Sequence, residues 1–332
     1  MNNYHIYAIG AALVDTEIEV TDQDLATLNV EKGMMTLVDP ARRQQLLDHL
    51  EGHLVHAQRA SGGSAGNTII AASYFGASTF FSGKVANDDN GEFYMRDMAN
   101  AGVATPAQNP EGGITGKCLI LITPDAERSM NTFLGASEQF SARELDSDAI
   151  AASAYLYIES YLVTSPSGKQ AAIEAANLAR SNNTKIALSF SDPGIIEYFH
   201  AGVLEIMGGR IALAFCNRDE ALSFAKTEDL DQAIKVLHDH CDEFVITLGA
   251  EGALIYDGET MHAIDGVKVE AIDTNGAGDM FAGAFLYGIS HGMTHAQAGK
   301  FASLAASRVV SQFGPRLQPA QHAKLLEQFQ QA

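Results

Sequence analysis

One short run of small and acidic residues has the types and the spacing to support phosphoryl transfer. It reads Asp273-Thr274-Asn275-Gly276-Ala277-Gly278-Asp279 and leads directly into an apolar helical stretch. The first N–H groups of a helix lack intrahelical partners and lie at the positive end of the helix dipole, so they can bind phosphate oxygens. Asp279, in the first turn, can take a proton from a hydroxyl that attacks the bound phosphorus.

The same run also has a purely structural interpretation. Asp273 or Asn275 could cap the helix, and Asp279 could be a first-turn acid favoured by the helix dipole. We favour the catalytic interpretation because two acids flank Gly-Ala-Gly, and because Gly283-Ala284 would let another backbone approach closely.

Two further stretches offer groups that bind hydroxyls. Ser61-Gly62-Gly63-Ser64-Ala65-Gly66-Asn67 precedes an apolar helix, and Asn67 supplies both a donor and an acceptor. An ordinary glycine turn with an asparagine cap explains this stretch equally well. Asp15 follows the first predicted strand, where ligands bind in open α/β sheets, and its carboxylate can accept two hydrogen bonds from a diol. As an isolated aspartate it would instead be a loop cap.

Two motifs follow later strands. Asn217 and Glu220 are three residues apart and share one helix face, on which Glu220 could contact Mg²⁺. A capping box with Asn217 as the cap explains the same spacing. The second motif, Thr247-Leu248-Gly249-Ala250-Glu251-Gly252-Ala253, is a tight glycine turn that hairpin chemistry would also explain.

The elements that must position these residues alternate between strands and helices. We predict strands at 6–9, 79–82, 155–158, 185–189, 211–215 and 244–248, and helices at 67–75, 92–100, 169–180, 230–240, 276–291, 294–312 and 319–330. The alternation predicts an α/β fold with a mainly parallel sheet, and the length and apolar content allow one large domain or one domain with a small appendage. Two inserted stretches, residues 18–38 and 118–134, alternate in polarity. With their flanks, at about 15–39 and 110–135, they should form a small β-sheet lid. A β-hairpin decoration that makes a homodimer contact is the alternative.

Composition limits the partners and the compartment. The chain of 332 residues has 41 acidic and 21 basic residues and a net charge of −20, which argues against nucleic acid and anionic membranes as partners. Cys118, Cys216 and Cys241 are widely spaced, as in reduced cytoplasmic proteins, and no apolar stretch approaches the length of a membrane span. The P-loop motif and a Gly-x-Gly-x-x-Gly after the first strand are both absent, which argues against P-loop enzymes and dinucleotide dehydrogenases.

The motifs occur in the order found in the ribokinase/PfkB family of carbohydrate and nucleoside kinases, which the chain resembles from Ile6 to about Gly314. The resemblance implies a single domain over residues 1–332, built as a ribokinase-like three-layer αβα sandwich with a mostly parallel central sheet and a small β-sheet lid. It also implies ATP and Mg²⁺ as cofactors, and transfer of the γ-phosphoryl group to a primary hydroxyl. In such an enzyme Asp279 would be the base, and Gly276, Ala277 and Gly278 would form the anion hole.

The resemblance assigns binding roles to the other motifs. The acceptor hydroxyls would be bound by Asp15, Gly62, Gly63 and Asn67. The nucleotide would lie beside Thr247, Gly249, Gly252 and Ser303. Magnesium and phosphate would be bound by Asn217 and Glu220. Many relatives also use a monovalent cation, here K⁺, and the matching positions are Asp273, Asn275, Val309, Gln312 and Gly314.

The acceptor implied by the resemblance is a small-molecule nucleoside or sugar. The segment from Pro124 to Gly135 resembles the adenosine-kinase-like branch, in which Arg128 would reach a polar or anionic group and Phe133 would stack on a base. Adenosine kinases usually carry Asn-Pro where this chain has Ala11-Ala12, so ribose, fructose or a keto-deoxy sugar acid stay open as acceptors. A catalytically silent ligand sensor, and a phosphatase or hydrolase that uses the same anion hole, are alternatives from other classes.

Overall fold

The computed structural model describes residues 3–50, 60–107 and 112–331. Strands and helices alternate along these ranges and are numbered in chain order. The strands are β1 (Tyr4–Ile9), β2 (Leu13–Glu19), β3 (Met35–Leu37), β4 (Ala60–Gly62), β5 (Thr79–Ser82), β6 (Gly116–Ile122), β7 (Arg128–Phe133), β8 (Ser153–Glu159), β9 (Lys185–Ser189), β10 (Ile211–Asn217), β11 (Cys241–Thr247), β12 (Gly252–Tyr256) and β13 (Met261–Asp265). The helices are α1 (Asp22–Leu28), α2 (Pro40–His49), α3 (Ser64–Phe75), α4 (Asp89–Asn100), α5 (Ser147–Ala151), α6 (Pro166–Ser181), α7 (Pro193–Met207), α8 (Arg218–Ala225), α9 (Leu230–His240), α10 (Ala277–Ser290), α11 (His295–Val309) and α12 (Pro319–Gln330).

The central sheet has the strand order β13-β12-β11-β10-β9-β8-β1-β5. Neighbours from β11 to β5 pair in parallel, and β12 and β13 add an antiparallel edge. Alternate side chains of β1 enter different cores: Ile6 and Ala8 pack with α3, α10, α11 and α12, whereas Tyr7 and Ile9 pack with α6 to α9. The predicted α/β three-layer sandwich is therefore confirmed.

Helices α3 and α10 pack closely enough to bring the two predicted glycine motifs together. A Cβ atom on Gly283 would lie 2.5 Å from the carbonyl oxygen of Thr68 and 2.9 Å from the Cβ of Ala71. Only glycine permits so close an approach of the two backbones. Both helices begin at the same edge of the central sheet, so their first turns are in contact.

The second sheet, which we name the lid sheet, has the strand order β3-β7-β6-β2-β4. It begins at Leu13 and includes β4, a strand that the sequence did not predict. Of the predicted second insertion, residues 110 and 111 lie outside the described residues. Helices α1 and α2 cover one face of this sheet through a small core that contains Ile18, Leu25, Leu46, Leu119 and Leu121. A homodimer through the lid could not use that face unless these helices moved.

The alternating polarity of residues 18–38 predicted extended structure, and this prediction is wrong for residues 22–28, which form α1. Thr21 starts the helix with a capping box: its side chain accepts a hydrogen bond from the Asp24 N–H, and the Asp24 carboxylate accepts one from the Thr21 N–H. Leu25 and Leu28 are three residues apart and both are buried against the lid sheet. Capping and helical spacing therefore outweigh the local alternation. The helix predicted for residues 294–312 also ends earlier, at Val309.

The structure also bears on membrane spans, metal sites and cysteines. None of the helices in the described ranges combines the length and the apolar character needed to cross a bilayer. In residues 3–50, 60–107 and 112–331, no group of three or more His, Cys, Asp or Glu side chains is arranged to hold a metal ion. Cys118, Cys216 and Cys241 are all free thiols in buried positions.

Candidate active site

A cavity of about 800 Å³ lies between the carboxyl edge of the central sheet and the lid sheet. It brings together residues from every predicted motif. The predicted site residues in its lining are Asp15, Gly63, Asn67, Arg128, Asn217, Glu220, Thr247, Gly249, Gly252, Asn275, Gly276, Ala277, Gly278, Asp279 and Ser303. The predicted site residues outside its lining are Gly62, Phe133, Asp273, Val309, Gln312 and Gly314.

The turn before α10 presents the start of that helix to the cavity. Gly276 is the N-cap with φ of +74°, and a side chain there would overlap the carbonyl oxygen of Pro315, so the position requires glycine. The Ala277 N–H makes a long hydrogen bond of 3.3 Å to the Thr274 carbonyl oxygen. A Cβ atom on Gly278 would meet nothing within 4 Å, so the cavity is open at this point. A helix N terminus beside open space suits an anion.

Two side chains from the first turn of α3 hold the Asp279 carboxylate. Ser64 Oγ donates to Oδ1 at 2.7 Å, and Asn67 Nδ2 donates to Oδ2 at 3.1 Å. Burial raises the pKa of Asp279, whereas these two hydrogen bonds and the charge of Arg128 oppose the rise. Asp279 is therefore fixed in orientation and close to the predicted hydroxyl-binding residue Asn67. Sequence reasoning had assigned no role to Ser64.

Asp15 lies on β2 and is buried, with 6% of its surface exposed. Gly62 does not line the cavity, but a Cβ atom on it would overlap the Asp15 carboxyl group, so it packs directly behind that group. Burial and the nearby Glu17 carboxylate raise the pKa of Asp15 well above its ordinary value, and Arg316 opposes this rise. A buried carboxyl group at a cavity wall requires polar partners, and the hydroxyls of a ligand can provide them.

Glu159, at the end of β8, is a cavity residue that sequence reasoning missed. It is fully buried, and its two oxygens accept hydrogen bonds from the Ala11 N–H at 2.6 Å and the Ala65 N–H at 2.7 Å. Burial raises its pKa to about 7, although the two N–H groups oppose the rise. Glu159 therefore joins the loop after β1 to the start of α3.

The lid sheet contributes an apolar wall and one cation to the cavity. Arg128 Nη1 donates to the Thr274 carbonyl oxygen at 2.7 Å, which ties β7 to the turn before α10. Side chains alternate along a strand, so Arg128, Met130 and Thr132 line the cavity and Phe133 does not. The structure thus does not bring Phe133 to the place where it was predicted to stack on a base. The apolar residues of the wall are Leu13, Met35, Leu37, Cys118, Ile120, Met130 and Leu134.

Asn217 and Glu220 form the capping box that was the structural alternative for this motif. Asn217 Oδ1 accepts from the Glu220 N–H at 2.8 Å, and the Glu220 carboxylate accepts from the Asn217 N–H at 2.9 Å and from Asn217 Nδ2 at 3.0 Å. Burial raises the pKa of Glu220 to about 8. Both residues also line the cavity, so the capping box leaves the Glu220 carboxyl group at the cavity wall, where the sequence predicts Mg²⁺.

The far end of the cavity suits a nucleotide. Thr247 Oγ1 lies 3.5 Å from the Cys216 carbonyl oxygen and Ser303 Oγ donates to the Asp265 carbonyl oxygen at 3.2 Å, so both hydroxyls are fixed at the wall. Gly249 has open space around it. Small apolar side chains complete this end and can cover the faces of an aromatic base. They are Val267, Val269, Ala271, Ala306 and Val310.

The positions predicted for a monovalent cation lie in two loops that Asp273 holds together. Asp273 is fully buried; its Oδ1 accepts from the Asn275 N–H at 2.8 Å and its Oδ2 from the Gly314 N–H at 2.9 Å. The Gln312 N–H donates to the Val309 carbonyl oxygen at 3.2 Å in the second loop. Of these positions only Asn275 reaches the cavity. The prediction of a cation here stays a prediction.

Known proteins resemble this chain in sequence and in structure. The profile of the pfkB family carbohydrate kinases matches residues 31–322. Adenosine kinase from Saccharomyces cerevisiae is 28% identical over 314 residues, which cover 86% of this chain and 89% of that protein. Two solved structures superpose closely. The first is adenosine kinase from Sinorhizobium meliloti, with a TM-score of 0.91, 34% identity and coverage of 97% of this chain and 99% of that one.

The second is a probable sugar kinase from Rhizobium etli CFN 42, with a TM-score of 0.92, 32% identity and coverage of 98% of this chain and 100% of that one. The family profile covers most of the chain, and the similarity extends over nearly the whole fold. The chain therefore belongs to the pfkB family of carbohydrate kinases and is a phosphotransferase with an alcohol group as acceptor.

Proposed function

We propose that the protein transfers the γ-phosphoryl group of ATP to a primary hydroxyl of a nucleoside. The proposal rests on the observation that Asp279, at the N terminus of α10, lines the same cavity as Asp15. A base must lie within reach of the hydroxyl that it deprotonates, and a helix N terminus beside it can bind the phosphate. The cavity therefore has a candidate base beside a candidate phosphate site, which supports the proposal.

In this proposal the acceptor lies between Asp15 and Asp279. Asp15, Gly63 and Asn67, with Gly62 behind Asp15, bind the ring hydroxyls. The primary hydroxyl donates its hydrogen bond to Asp279, which orients it and takes its proton as the new phosphorus–oxygen bond forms. Asn67 already contacts Asp279, so residues that bind the sugar and the residue that removes the proton are held together.

We propose that ATP and Mg²⁺ bind to cavity residues whose chemistry suits them. Thr247, Gly249, Gly252 and Ser303 would hold the nucleotide, and Glu220 with Asn217 would hold the metal, since Mg²⁺ typically takes one or two carboxylates, waters and phosphate oxygens. Bound Mg²⁺ supplies neutralisation of phosphate charge. The amides of residues 276–278 would stabilise charge on the transferred group, and loss of one such donor costs about 10²–10³ in rate.

The cavity wall formed by the lid sheet suits a nucleoside better than a sugar acid as the acceptor. Most of its cavity-facing side chains from β2 to β7 are apolar, which suits the face of a nucleobase, and the polar ones are Asp15, Arg128 and Thr132. Arg128 gives Nη1 to the Thr274 carbonyl oxygen and keeps other N–H donors that can bind a carboxylate, so it is the apolar character of the wall that favours a nucleoside. Similarity to an adenosine kinase points the same way, while similarity to a probable sugar kinase keeps ribose, fructose and keto-deoxy sugar acids in the test.

Three further proposals concern the whole chain. Residues 1–332 form one kinase domain, with the lid at about 15–39 and 110–135. The loops joined by Asp273 bind K⁺ through Asp273, Asn275, Val309, Gln312 and Gly314. The protein works in the cytoplasm, which its free buried thiols support.

The test is ADP release over a panel of nucleosides, sugars and sugar acids, with wild type and the Asp279→Asn variant. We expect turnover with a nucleoside, and a loss of about 10²–10⁴ in kcat when the base is removed. Undiminished turnover by the variant would refute the assignment of the base. Release of ADP without any acceptor would favour a hydrolase, and tight binding without turnover would favour a sensor.

A further inference from the structure

Ser64 is the first residue of α3, and its hydroxyl has no role in starting that helix. Gly63 is the N-cap and makes no side-chain hydrogen bond. Ser64 Oγ instead donates a hydrogen bond to Oδ1 of Asp279, which lies 215 positions further along the chain. The contact of 2.7 Å has the usual length of a hydrogen bond donated by a hydroxyl to an oxygen.

We propose that Ser64 is a positioning residue that fixes the orientation of the Asp279 carboxylate and favours its ionised form. The inference rests on the proposed function, in which Asp279 removes the proton of the acceptor hydroxyl. It adds a residue to the machinery of that step, and it places that residue outside the motif that contains the base.

The geometry around Asp279 explains why one more donor matters. Each carboxylate oxygen accepts one hydrogen bond, Oδ1 from Ser64 and Oδ2 from Asn67, so the plane of the group is fixed. Each oxygen keeps a second lone pair that can accept from the acceptor hydroxyl. Without Ser64 the carboxylate would be held at one oxygen only and could rotate away from the hydroxyl.

The charges around Asp279 make its ionisation depend on such donors. Burial raises its pKa, and Arg128 on β7 is the cation that opposes this. The other titratable groups that sense its charge are Asp15 on β2, Tyr157 and Glu159 on β8, and Tyr161, which follows β8. All four of these groups are acids or phenols, so none of them carries a positive charge that would stabilise the Asp279 carboxylate. The ionised Asp279 carboxylate is stabilised by the hydrogen bonds from Ser64 and Asn67 and by the charge of Arg128.

Ser64 gives a cleaner test than Asn67. Asn67 is also proposed to bind the acceptor, so its replacement would change binding and the base together. Ser64→Ala removes only the hydroxyl, and Ser64→Thr restores it. Ser73 supplies a matched control, because it lies on the same helix and donates to the Ala101 carbonyl oxygen, away from the cavity.

The experiment measures the pKa of Asp279 and the rate separately. The pKa comes from ¹³C NMR titration of carboxyl-labelled protein, with the Asp279 signal identified by its absence in Asp279→Asn. For Ser64→Ala we expect that pKa to rise by about one unit and the acidic limb of the kcat–pH profile to move with it, because one of two charge-stabilising donors is lost. We also expect kcat to fall about tenfold at neutral pH, with a smaller change in acceptor KM.

The control variants should separate positioning from folding. Ser64→Thr should restore the wild-type titration, and Ser73→Ala should leave the Asp279 pKa and the kcat–pH profile unchanged. If Ser64→Ala keeps the wild-type Asp279 titration and kcat, the inference is overturned while the proposed function stands. If Asp279→Asn keeps full activity, the assignment of the base has failed, whatever Ser64→Ala does.

Discussion

Glu159 gives a prediction about how stability depends on pH. Its carboxyl group is fully buried and joins the loop after β1 to the start of α3 through the Ala11 and Ala65 N–H groups. The perturbation is Glu159→Gln, which keeps the size of the side chain and removes its titration. Since an amide cannot accept from both N–H groups without facing one of them with its own donor, the variant loses some stability at every pH.

The magnitude follows from the pKa of about 7 in the folded protein against 4.5 for an ordinary glutamate. Between these values the folded chain keeps a proton on Glu159 that the unfolded chain has released. The contribution of Glu159 to the free energy of unfolding therefore falls as pH rises across this interval, and this contribution is greatest below pH 4.5. A shift of this size corresponds to about 3 kcal/mol of the free energy of unfolding. The variant should lack this fall.

The assay is urea unfolding of both proteins at several pH values between about 4.5 and 8, compared as the difference in free energy of unfolding. We expect the deficit of Glu159→Gln to shrink by about 3 kcal/mol from the low to the high end. Glu92→Gln, which changes an exposed glutamate on α4, should leave the wild-type dependence intact. A deficit of Glu159→Gln that is constant with pH would refute the reasoning.

Three further variants test the contacts around the turn before α10. Gly276→Ala should lower kcat at least about tenfold and should lower Tm, because a methyl group at φ of +74° would overlap Pro315. Gly278→Ala is the matched control, since its methyl group would meet nothing within 4 Å. This control should keep the wild-type Tm in thermal melts. Arg128→Met should remove the hydrogen bond between the lid sheet and the Thr274 carbonyl oxygen, and it should raise the KM for the acceptor in steady-state assays. An unchanged KM would show that this hydrogen bond does not hold the lid sheet over the acceptor.

The sequence predicted most of the central sheet because its signals are local. Apolar strand runs, helical spacing and glycine turns gave β5, β9, α9 and α12 with the bounds that the structure shows. The helix α1 was predicted wrongly because its stretch also alternates in polarity, and only its capping box and its burial against the lid sheet distinguish it. No bounds were predicted for the helices α2, α5, α7 and α8 or for the strands β12 and β13.

The predicted site residues came from short motifs, and the missed ones depend on contacts between distant segments. Ser64 contacts Asp279 across 215 residues, and Glu159 contacts Ala11 across 148, so no spacing in the chain reveals either pair. The position of Phe133 could have been anticipated, because it is five residues from Arg128 on one strand and an odd separation places two side chains on opposite faces.

The contact of Gly283 with Thr68 has a consequence for the chemistry that lies about one helical turn away. That contact sets how closely the axes of α3 and α10 can approach. Asn67, which we propose to bind the acceptor, lies on α3, and Asp279, the proposed base, lies on α10. A bulkier side chain at position 283 would push the two helices apart without contacting a ligand. The distance between Asn67 and Asp279 would then increase, so a glycine in the hydrophobic core limits the separation of two residues that the proposed reaction needs side by side.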